Sequence, residues 1–506
     1  MGDIEFLVVL LAAATVGVRL ADRAHIPYPI VLVLFGLAIG LVPGLPDLRL
    51  DPDVVFLVFL PPLLHAAGWV ASPRELRTEV RPLAALAVGL VLLTMVAVAV
   101  VAHAIVPGMS WPAAFVLGAI VAPTDPVSAT ATFSRIGVPD RVRRLVAGEA
   151  MINDGSALVA YRVALTAALE GTFSPAGAAL EFVVAAAGGV LVGLAVGWAA
   201  TEIVRRQDDV PLTIFVTLLS AYGGYIIAEE LHVSGVLGAV VAGIYSGWRS
   251  PESLGADMRL TGLAFWGVMT FGLEALLFVL LGLQAPQLAS EIDVAPLTLQ
   301  ALVVSLVVIA VRMAWALLPV VGAGDDLKER IAVGWSGMRG AISLAAALAV
   351  STQVDERPEI LLITFGVILV TLVGQGLTLP LVLRALRLPG ENRWSPDEAL
   401  ARLETAQAAL DRIEELEDAG AAEEPLRRLR EHYRARFELC VAALEGADGD
   451  RTRGMPELSR YADLRRDLIG VERRALLDMR ASNRVSPQVL RRVQRDLDLD
   501  EARLRG

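Results

Sequence analysis

The sequence predicts an all-α polytopic membrane protein, with about thirteen transmembrane helices and a helical tail outside the bilayer. Three observations carry this prediction. The 506-residue chain is 55% hydrophobic with a mean hydropathy of +0.60, and its apolar residues arrive in runs of roughly twenty, the length a helix needs to cross about 30 Å of hydrocarbon. Basic residues gather in alternate connections between these runs. Beyond Leu388 the runs stop and a stretch dense in Arg, Glu and Asp takes over.

The apolar segments fall at residues 4–21, 27–44, 52–71, 80–106, 112–134, 143–169, 177–204, 210–229, 231–248, 260–284, 297–321, 329–351 and 359–386. The least distinct division is at Leu231 to Ser234. If the N-terminus lies outside, the cytoplasmic connections hold Arg19 and Arg23, then Arg74, Arg77 and Arg81, then Arg135, Arg141, Arg143 and Arg144, then Arg205 and Arg206, Arg249 and Arg259, and Lys328 and Arg330. The opposite connections hold only Arg49 and Arg357. By the positive-inside rule this alternation predicts thirteen spans, N-terminus outside and C-terminus cytoplasmic. The acidic start, Met1 to Glu5, is unlike a cleavable signal peptide, so the first helix is expected to be retained.

The predicted domains are therefore a membrane domain over residues 1–387 and a cytoplasmic tail over 388–506. Leucines at helical spacing in the tail (Leu403, Leu410, Leu416, Leu426, Leu429) predict amphipathic, partly coiled-coil-like helices that serve dimerisation or regulation. Its mixed charge argues against a nucleic-acid surface. The single cysteine, Cys440, excludes an intramolecular disulfide, and His25, His65, His103, His232 and His432 show no metal-ligand spacing. There is no Gly-rich phosphate loop ending in Gly-Lys-Ser/Thr, so no cofactor and no nucleotide-driven cycle is expected.

Function must come from polar residues that a membrane should exclude. In the fifth segment Ala122-Pro123-Thr124-Asp125-Pro126 puts two prolines and an acid near mid-depth, where proline frees carbonyls from helical bonding. The sixth carries Gly148-Glu149 and Asn153-Asp154, and the twelfth carries Gly334-Trp335-Ser336-Gly337-Met338-Arg339-Gly340-Ala341. Each charge at the bilayer centre costs about 3 kcal/mol on insertion scales, so several at one depth must meet one another or water. Broken helices aimed at a midplane site are how secondary transporters with inverted repeats are built.

Phe59-Leu60-Pro61-Pro62-Leu63-Leu64, Thr124-Asp125-Pro126, Gly148-Glu149, Asn153-Asp154 and Gly337-Met338-Arg339-Gly340-Ala341 occur in an order and at separations that resemble the bacterial sodium/proton exchangers, a family of cation:proton antiporters. The resemblance covers about residues 1–386. It implies a homodimer in the bacterial inner membrane, serving pH homeostasis, that exchanges sodium for protons electroneutrally by alternating access, with broken, crossing helices. Lithium or potassium are further cations such a site could carry.

Carried over residue by residue, the resemblance makes Asp154 the ion-binding and proton-accepting carboxylate, with Thr124 and Asp125 lining the site and Thr124 sharing the cation. Asn153 is similar to the residue that marks the electroneutral branch. Glu149 would pair with Arg312, and Arg339 would compensate charge where the helices cross. Glu274 and His65 are secondary candidates. Two departures stand out: Ala66 replaces an acid that many relatives carry after the Pro-Pro pair, and Ala150 replaces a serine four residues before the key aspartate. Two cation ligands are thereby missing.

Structural roles compete with these. Asp125 could cap a half-helix N-terminus, Glu149 and Arg312 could simply neutralise each other, Arg339 could balance helix ends, and His65 could be a packed side chain rather than a proton sensor. Arg162 is expected to snorkel to the interface. Among other functions, potassium/proton exchange on the same fold is the closest alternative. A cation channel would conduct under voltage. An intramembrane aspartyl protease would also place two aspartates on adjacent helices, as Asp125 and Asp154 are, but its Gly-x-Gly-Asp signature is missing.

Overall fold

The computed structural model describes residues 3–42, 55–170, 175–207, 209–291, 294–324, 326–388, 396–419, 422–445 and 455–481, together with 490, 493–494 and 497–501. Arg49 lies outside the described residues, which are helical or connecting, without a strand. The chain divides into two compact units, Met1–Gly390 and Glu391–Gly506.

Among the described residues, the apolar segments of the sequence are largely helical in the first unit. In chain order the helices are α1 (Asp3–Ala24), α2 (Tyr28–Gly40), α3 (Val55–Val70), α4 (Val80–Ile105), α5a (Trp111–Val121), α5b (Val127–Ile136), α6 (Asp140–Glu170) and α7 (Pro175–Val204). There follow α8 (Val210–Glu230), α9 (Gly235–Ser253), α10 (Ala256–Glu291), α11 (Val294–Leu317), α12a (Leu327–Trp335), α12b (Ala341–Leu348) and α13 (Arg357–Leu386). Among the described residues, six stretches are single helices long and apolar enough to cross a membrane: Val80–Ile105, Ala179–Val204, Val210–Glu230, Ala256–Gln284, Leu297–Leu317 and Arg357–Leu386. The other segments do not meet that measure: α2 and α3 are shorter apolar helices over their described residues, α5 and α12 are interrupted, α6 carries Glu149, Asp154 and Arg162 along its length, and α1 and α9 hold charged residues near their ends.

Capping side chains set several helix starts by accepting otherwise orphaned backbone N–H groups. The Ser110 hydroxyl accepts from Ala113 N–H (3.4 Å), Asp209 from Leu212 N–H (2.8 Å) and Asp326 from Glu329 N–H (2.8 Å). The division at Leu231 to Ser234 is a real turn, with His232 at φ 59 and Ser234 capping α9 through Leu237 N–H at 3.3 Å.

The helices sort into two bundles. One contains α1–α3 and α7–α10, the other α4–α6 and α11–α13, with dense packing inside each and sparse packing between them. The pattern repeats: α2 packs on α10 as α9 packs on α3, and α4 lies on α5a as α11 lies on α12a. This relates α1–α6 to α8–α13 with α7 as the odd linker, and seven segments separate the two starts, so the second repeat runs inverted. Both scaffold pairs are glycine contacts. A Cβ at Gly36 would collide with the Val279 carbonyl and one at Gly282 with the Val33 carbonyl. Gly68 and Gly243 face the Val240 and His65 carbonyls in the same reciprocal way, so small residues let the backbones touch.

Three helices contain π-turns, at Val55–Phe59, Ala85–Gly89 and Val370–Gln375. Carbonyls of the second are taken up by other helices, since Trp315 Nε1–H donates to Ala85 O at 3.0 Å and the Ser156 hydroxyl donates to Ala87 O. Arg162, expected to snorkel to the interface, forms an ion pair with Glu229 at the end of α8, and so joins the two bundles.

The second unit contains α14 (Pro396–Asp418), α15 (Glu423–Glu445) and α16 (Met455–Ala481). α14 and α15 pack along one another, with Arg430 paired to Glu417 across their turn. The buried seam of α14 is not its leucines. Leu403, Leu410 and Leu416 are only half-buried and Leu429 on α15 is exposed, whereas Ala399, Ala406 and Ile413, spaced by seven, are buried, as is Leu426.

Replacing Gly282 with valine should force α2 and α10 apart and cost about 1–3 kcal/mol through overpacking. Gly262→Ala on the same helix, with no neighbouring atom within 4 Å of its would-be Cβ, should leave stability unchanged. Melting temperatures of the two variants in detergent check this. Equal melting would show that the pair does not depend on close backbone approach.

Candidate ion-binding site

The interruptions of α5 and α12 run against each other. Pro123 and Pro126 prevent α5 from continuing through Ala122–Pro126, and the glycines of Ser336-Gly337-Met338-Arg339-Gly340 let α12 unwind. The Asp125 N–H donates to Met338 O at 2.8 Å, one open strand satisfying the other where no helical partner exists. The crossing needs glycine at two points. A side chain at Gly337 would overlap the Arg312 side chain, and a Cβ at Gly340 would sit 2.6 Å from the Asp125 Cβ.

The charges around the crossing are matched to the half-helix ends. Arg312 makes a two-point ion pair with Glu149, through Nη1 to Oε1 and through Nη2 to Oε2 at 2.8 Å. Arg312 Nη2 also donates to Val333 O at 3.0 Å, near the C-terminal end of α12a, where a cation meets the negative end of the helix. Arg339 Nη1 donates to Gly337 O at 3.0 Å, and its backbone N–H donates to Thr371 Oγ1 at 3.0 Å in the π-turn of α13. Asp125 Oδ1 accepts from Val127 N–H at 3.2 Å, so its carboxylate caps α5b. The same residue lines the cavity between the bundles.

Asn153 Nδ2 donates to Thr124 Oγ1 at 2.8 Å, and the Thr124 hydroxyl points on to Glu149 Oε1 at 3.5 Å. This chain fixes Thr124 from α6. Asp154, one residue on, is 5% exposed, and its Oδ1 has no protein partner; neither has Asp125 Oδ2.

A cavity of about 810 Å³ opens between the bundles. Asp154, Thr124 and Asp125 line it from one bundle, and Tyr28, Ala66, Trp266 and Glu274 from the other. It extends to Ser72, Glu79, Arg143 and Arg144, in the connections that carry the basic residues of one predicted membrane side. Ala66 and Ala150, where the expected ligands are missing, both lie on its wall.

The remaining candidates separate. Glu274 is in the cavity and accepts a hydrogen bond from the Tyr28 hydroxyl at 2.7 Å. His65 is fully buried outside it, its ring 5.2 Å from that of Trp266 and 6.3 Å from that of Trp69. Asn153, Glu149, Arg312 and Arg339 stand behind the cavity wall rather than on it. Sequence reasoning missed Tyr28 and Thr371. The available signal was a hydroxyl close to an interruption in a neighbouring span.

A sequence profile described as the sodium/hydrogen exchanger, transmembrane family matches residues 8–385. An uncharacterized Na(+)/H(+) exchanger of Mycobacterium tuberculosis is 36% identical over 529 aligned residues, covering 98% of this chain and 95% of that one. The Na(+)/H(+) antiporter ApNhaP of Aphanothece halophytica is 33% identical and covers 81% of this chain and 79% of its own. Among solved structures, the sodium proton antiporter MjNhaP1 of Methanocaldococcus jannaschii at pH 8 superposes with a TM-score of 0.62 at 21% identity, over 77% of this chain and 99% of that chain, and thus shares the fold.

Because Glu149 and Arg312 are each 1% exposed, removing one strands the other in a medium that cannot solvate it. Arg312→Ala should lose on the order of 3–5 kcal/mol. Glu149→Gln in the same background should recover part of that loss. A double-mutant cycle of melting temperatures measures the coupling, and additive losses would mean the pair is energetically idle.

Proposed function

Because this chain belongs to the sodium/hydrogen exchanger family, we propose that it is a secondary active transporter exchanging sodium for protons across the membrane, one for one, at Asp154. The observation that carries the reading is the Asp154 carboxylate itself. It is buried, has an oxygen without a protein partner, and faces a cavity walled on its far side by the other bundle.

Each neighbouring group has a part in this reading. A proton and a cation compete for the Asp154 carboxylate, because a protonated carboxyl has lost the charge that attracts the cation. Thr124 offers its hydroxyl oxygen to the cation, held in place by the Asn153 amide. Asp125 neutralises a half-helix end and adds negative field without binding a transported proton. Glu149, Arg312 and Arg339 keep the crossing rigid, so that the site moves as part of its bundle.

Alternating access follows from the two-bundle construction, with the α4–α6 and α11–α13 bundle carrying the site past the scaffold. In the arrangement described here the cavity reaches Arg143 and Arg144, on the predicted cytoplasmic side. Arg162 lies about 12 Å beyond Asp154 along α6 and ties the bundles together away from that mouth through Glu229. The reading therefore takes this as an inward-open state, in a protein of the bacterial inner membrane with its N-terminus outside and its tail in the cytoplasm. The homodimer implied by the resemblance, with the tail serving dimerisation or regulation, belongs to the same reading.

The decisive measurement uses proteoliposomes with an internal pH dye, challenged in turn with sodium, lithium and potassium. Wild-type protein should move protons against sodium. Asp154→Asn should abolish the signal while expression and oligomeric state stay intact, and exchange that survives in this variant would sink the site assignment.

Stoichiometry gives an independent check. With Asn153 unable to titrate and Asp125 held as a cap, one carboxylate alternates between proton and cation, so no net charge moves per cycle. With the membrane potential clamped by potassium and valinomycin, sodium-driven exchange should proceed at a rate insensitive to voltage. Steep voltage dependence, or a sustained current on a solid-supported membrane, would show a second transported proton and overturn the single-carboxylate cycle.

A further inference from the structure

We propose that Ser343 is a cation ligand of the Asp154 site, its hydroxyl supplying an oxygen that Ala66 and Ala150 do not; this rests on the exchange reading above. Among the described residues, only three side-chain oxygens are buried without a protein partner and also belong to residues lining the large cavity. They are Asp154 Oδ1, Asp125 Oδ2 and Ser343 Oγ. Two are carboxylates already placed at the site, and the third has been given no role.

Its place in the fold fits. Ser343 is the third residue of α12b, on the turn that begins at Gly340 against the Asp125 side chain, and α12b packs on both α5a and α6. It belongs to the same bundle as Asp154 and Thr124, so a cation bound by all three would travel with them. Ser343 is 1% exposed and Asp154 5%, and the unpartnered oxygen of each is buried.

A hydroxyl in a membrane helix can bond back to a carbonyl three or four residues earlier, as those of Thr130, Thr132, Ser305, Thr371 and Thr378 do in this protein. Ser343 does not, and although Thr94, Ser128, Ser220, Ser246 and Thr364 are likewise buried without a partner, none of those five lines the cavity. An unpaired buried hydroxyl is unfavourable by itself, whereas a hard monovalent cation would use its lone pairs. A neutral oxygen also adds coordination without adding charge, which keeps the one-for-one exchange intact.

The test measures sodium dependence twice, as proton exchange in proteoliposomes and as sodium-induced thermal stabilisation of the purified protein. Ser343→Ala should raise the KM for sodium about tenfold, with a maximal rate within about twofold of wild type. The sodium concentration for half-maximal stabilisation should rise in parallel. Ser343→Thr, which keeps the oxygen, should behave like wild type in both assays. Ser343→Cys, which offers soft sulfur instead, should behave like Ser343→Ala and decides the matter if the alanine variant does not fold. A sodium response unchanged in Ser343→Ala, or equal loss in the alanine and threonine variants, would overturn the proposal while leaving Asp154 in place. Wild-type protein that neither exchanges sodium nor is stabilised by it would overturn the proposal together with the reading on which it rests.

Discussion

Two unwound stretches of backbone crossing inside an apolar medium is the constraint on which the rest of this structure depends. Hydrocarbon offers no water to satisfy peptide groups, so every freed N–H and C=O must find protein or line a wet cavity. The Asp125 N–H to Met338 carbonyl bond answers part of that demand. The half-helix ends answer it electrostatically, with Arg312 and Arg339 bonded to carbonyls of the α12 interruption and its N-terminal half, and the Asp125 carboxylate at the start of α5b. Once Glu149 has neutralised Arg312, one buried carboxylate is left with neither a cationic partner nor a helix end. That residue is Asp154, whose Oδ1 has no protein partner, and on the exchange reading proposed above this lack of compensation is what leaves it free for an ion.

The same constraint explains why the two bundles are built differently. The bundle that carries the crossing is tied by directional bonds between helices: Trp315 to Ala85, Ser156 to Ala87, Thr371 to the Arg339 backbone and Gln375 Nε2 to the Trp335 carbonyl at 3.1 Å. π-turns in α4 and α13 expose some of the groups that these bonds use. The other bundle has no broken helix to support. Its two central pairs are reciprocal glycine contacts that bring backbones together, with a few hydrogen bonds such as Tyr28 to Glu274 and Tyr222 to the Val58 carbonyl beside them. A polar-tied body sliding past a close-packed scaffold can move as a unit, because few specific bonds between them must break. The Arg162 to Glu229 pair is one of those few.

Much of the fold was legible in the sequence because hydrocarbon makes errors expensive. Apolar runs had to be helices, and Pro123, Pro126, Gly337 and Gly340 could only mark breaks. Charges at mid-span had to be functional or paired, which exposed Asp154, Asp125, Glu149 and Arg339 as one group, whereas Arg312 joined them only through the family resemblance. His65 was legible only as an anomaly, and its surroundings of Trp69 and Trp266 depend on helix pairing that no local pattern encodes. Ser343 and Thr371 stayed hidden for the opposite reason. A hydroxyl is cheap in a membrane helix because it can bond to its own backbone, so sequence alone cannot tell a satisfied hydroxyl from an unsatisfied one. The tail failed differently: leucine spacing pointed to a seam, but the closest packing falls on Ala399 and Ala406, where small side chains let helices approach.

The two alanines on the cavity wall have a mechanical meaning that composition could not reveal. Residue 66 stands on the scaffold bundle and residue 150 on the bundle that carries Asp154. An acid at position 66 would hold the cation from the stationary side while Asp154 held it from the moving side, and the shared ion would bind the bundles to each other in one orientation. With Ala66 there, the exchange reading lets the cation's protein ligands all come from one bundle, so that its departure from the scaffold would break no ion–carboxylate contact at that point. Glu274 is the acid that remains on the scaffold wall, and the Tyr28 hydroxyl already occupies one of its oxygens. On the exchange reading proposed above, the site is thereby biased towards a cation that rides with its bundle, and oxygens missing at positions 66 and 150 would come from hydroxyls, carbonyls or water on the moving side.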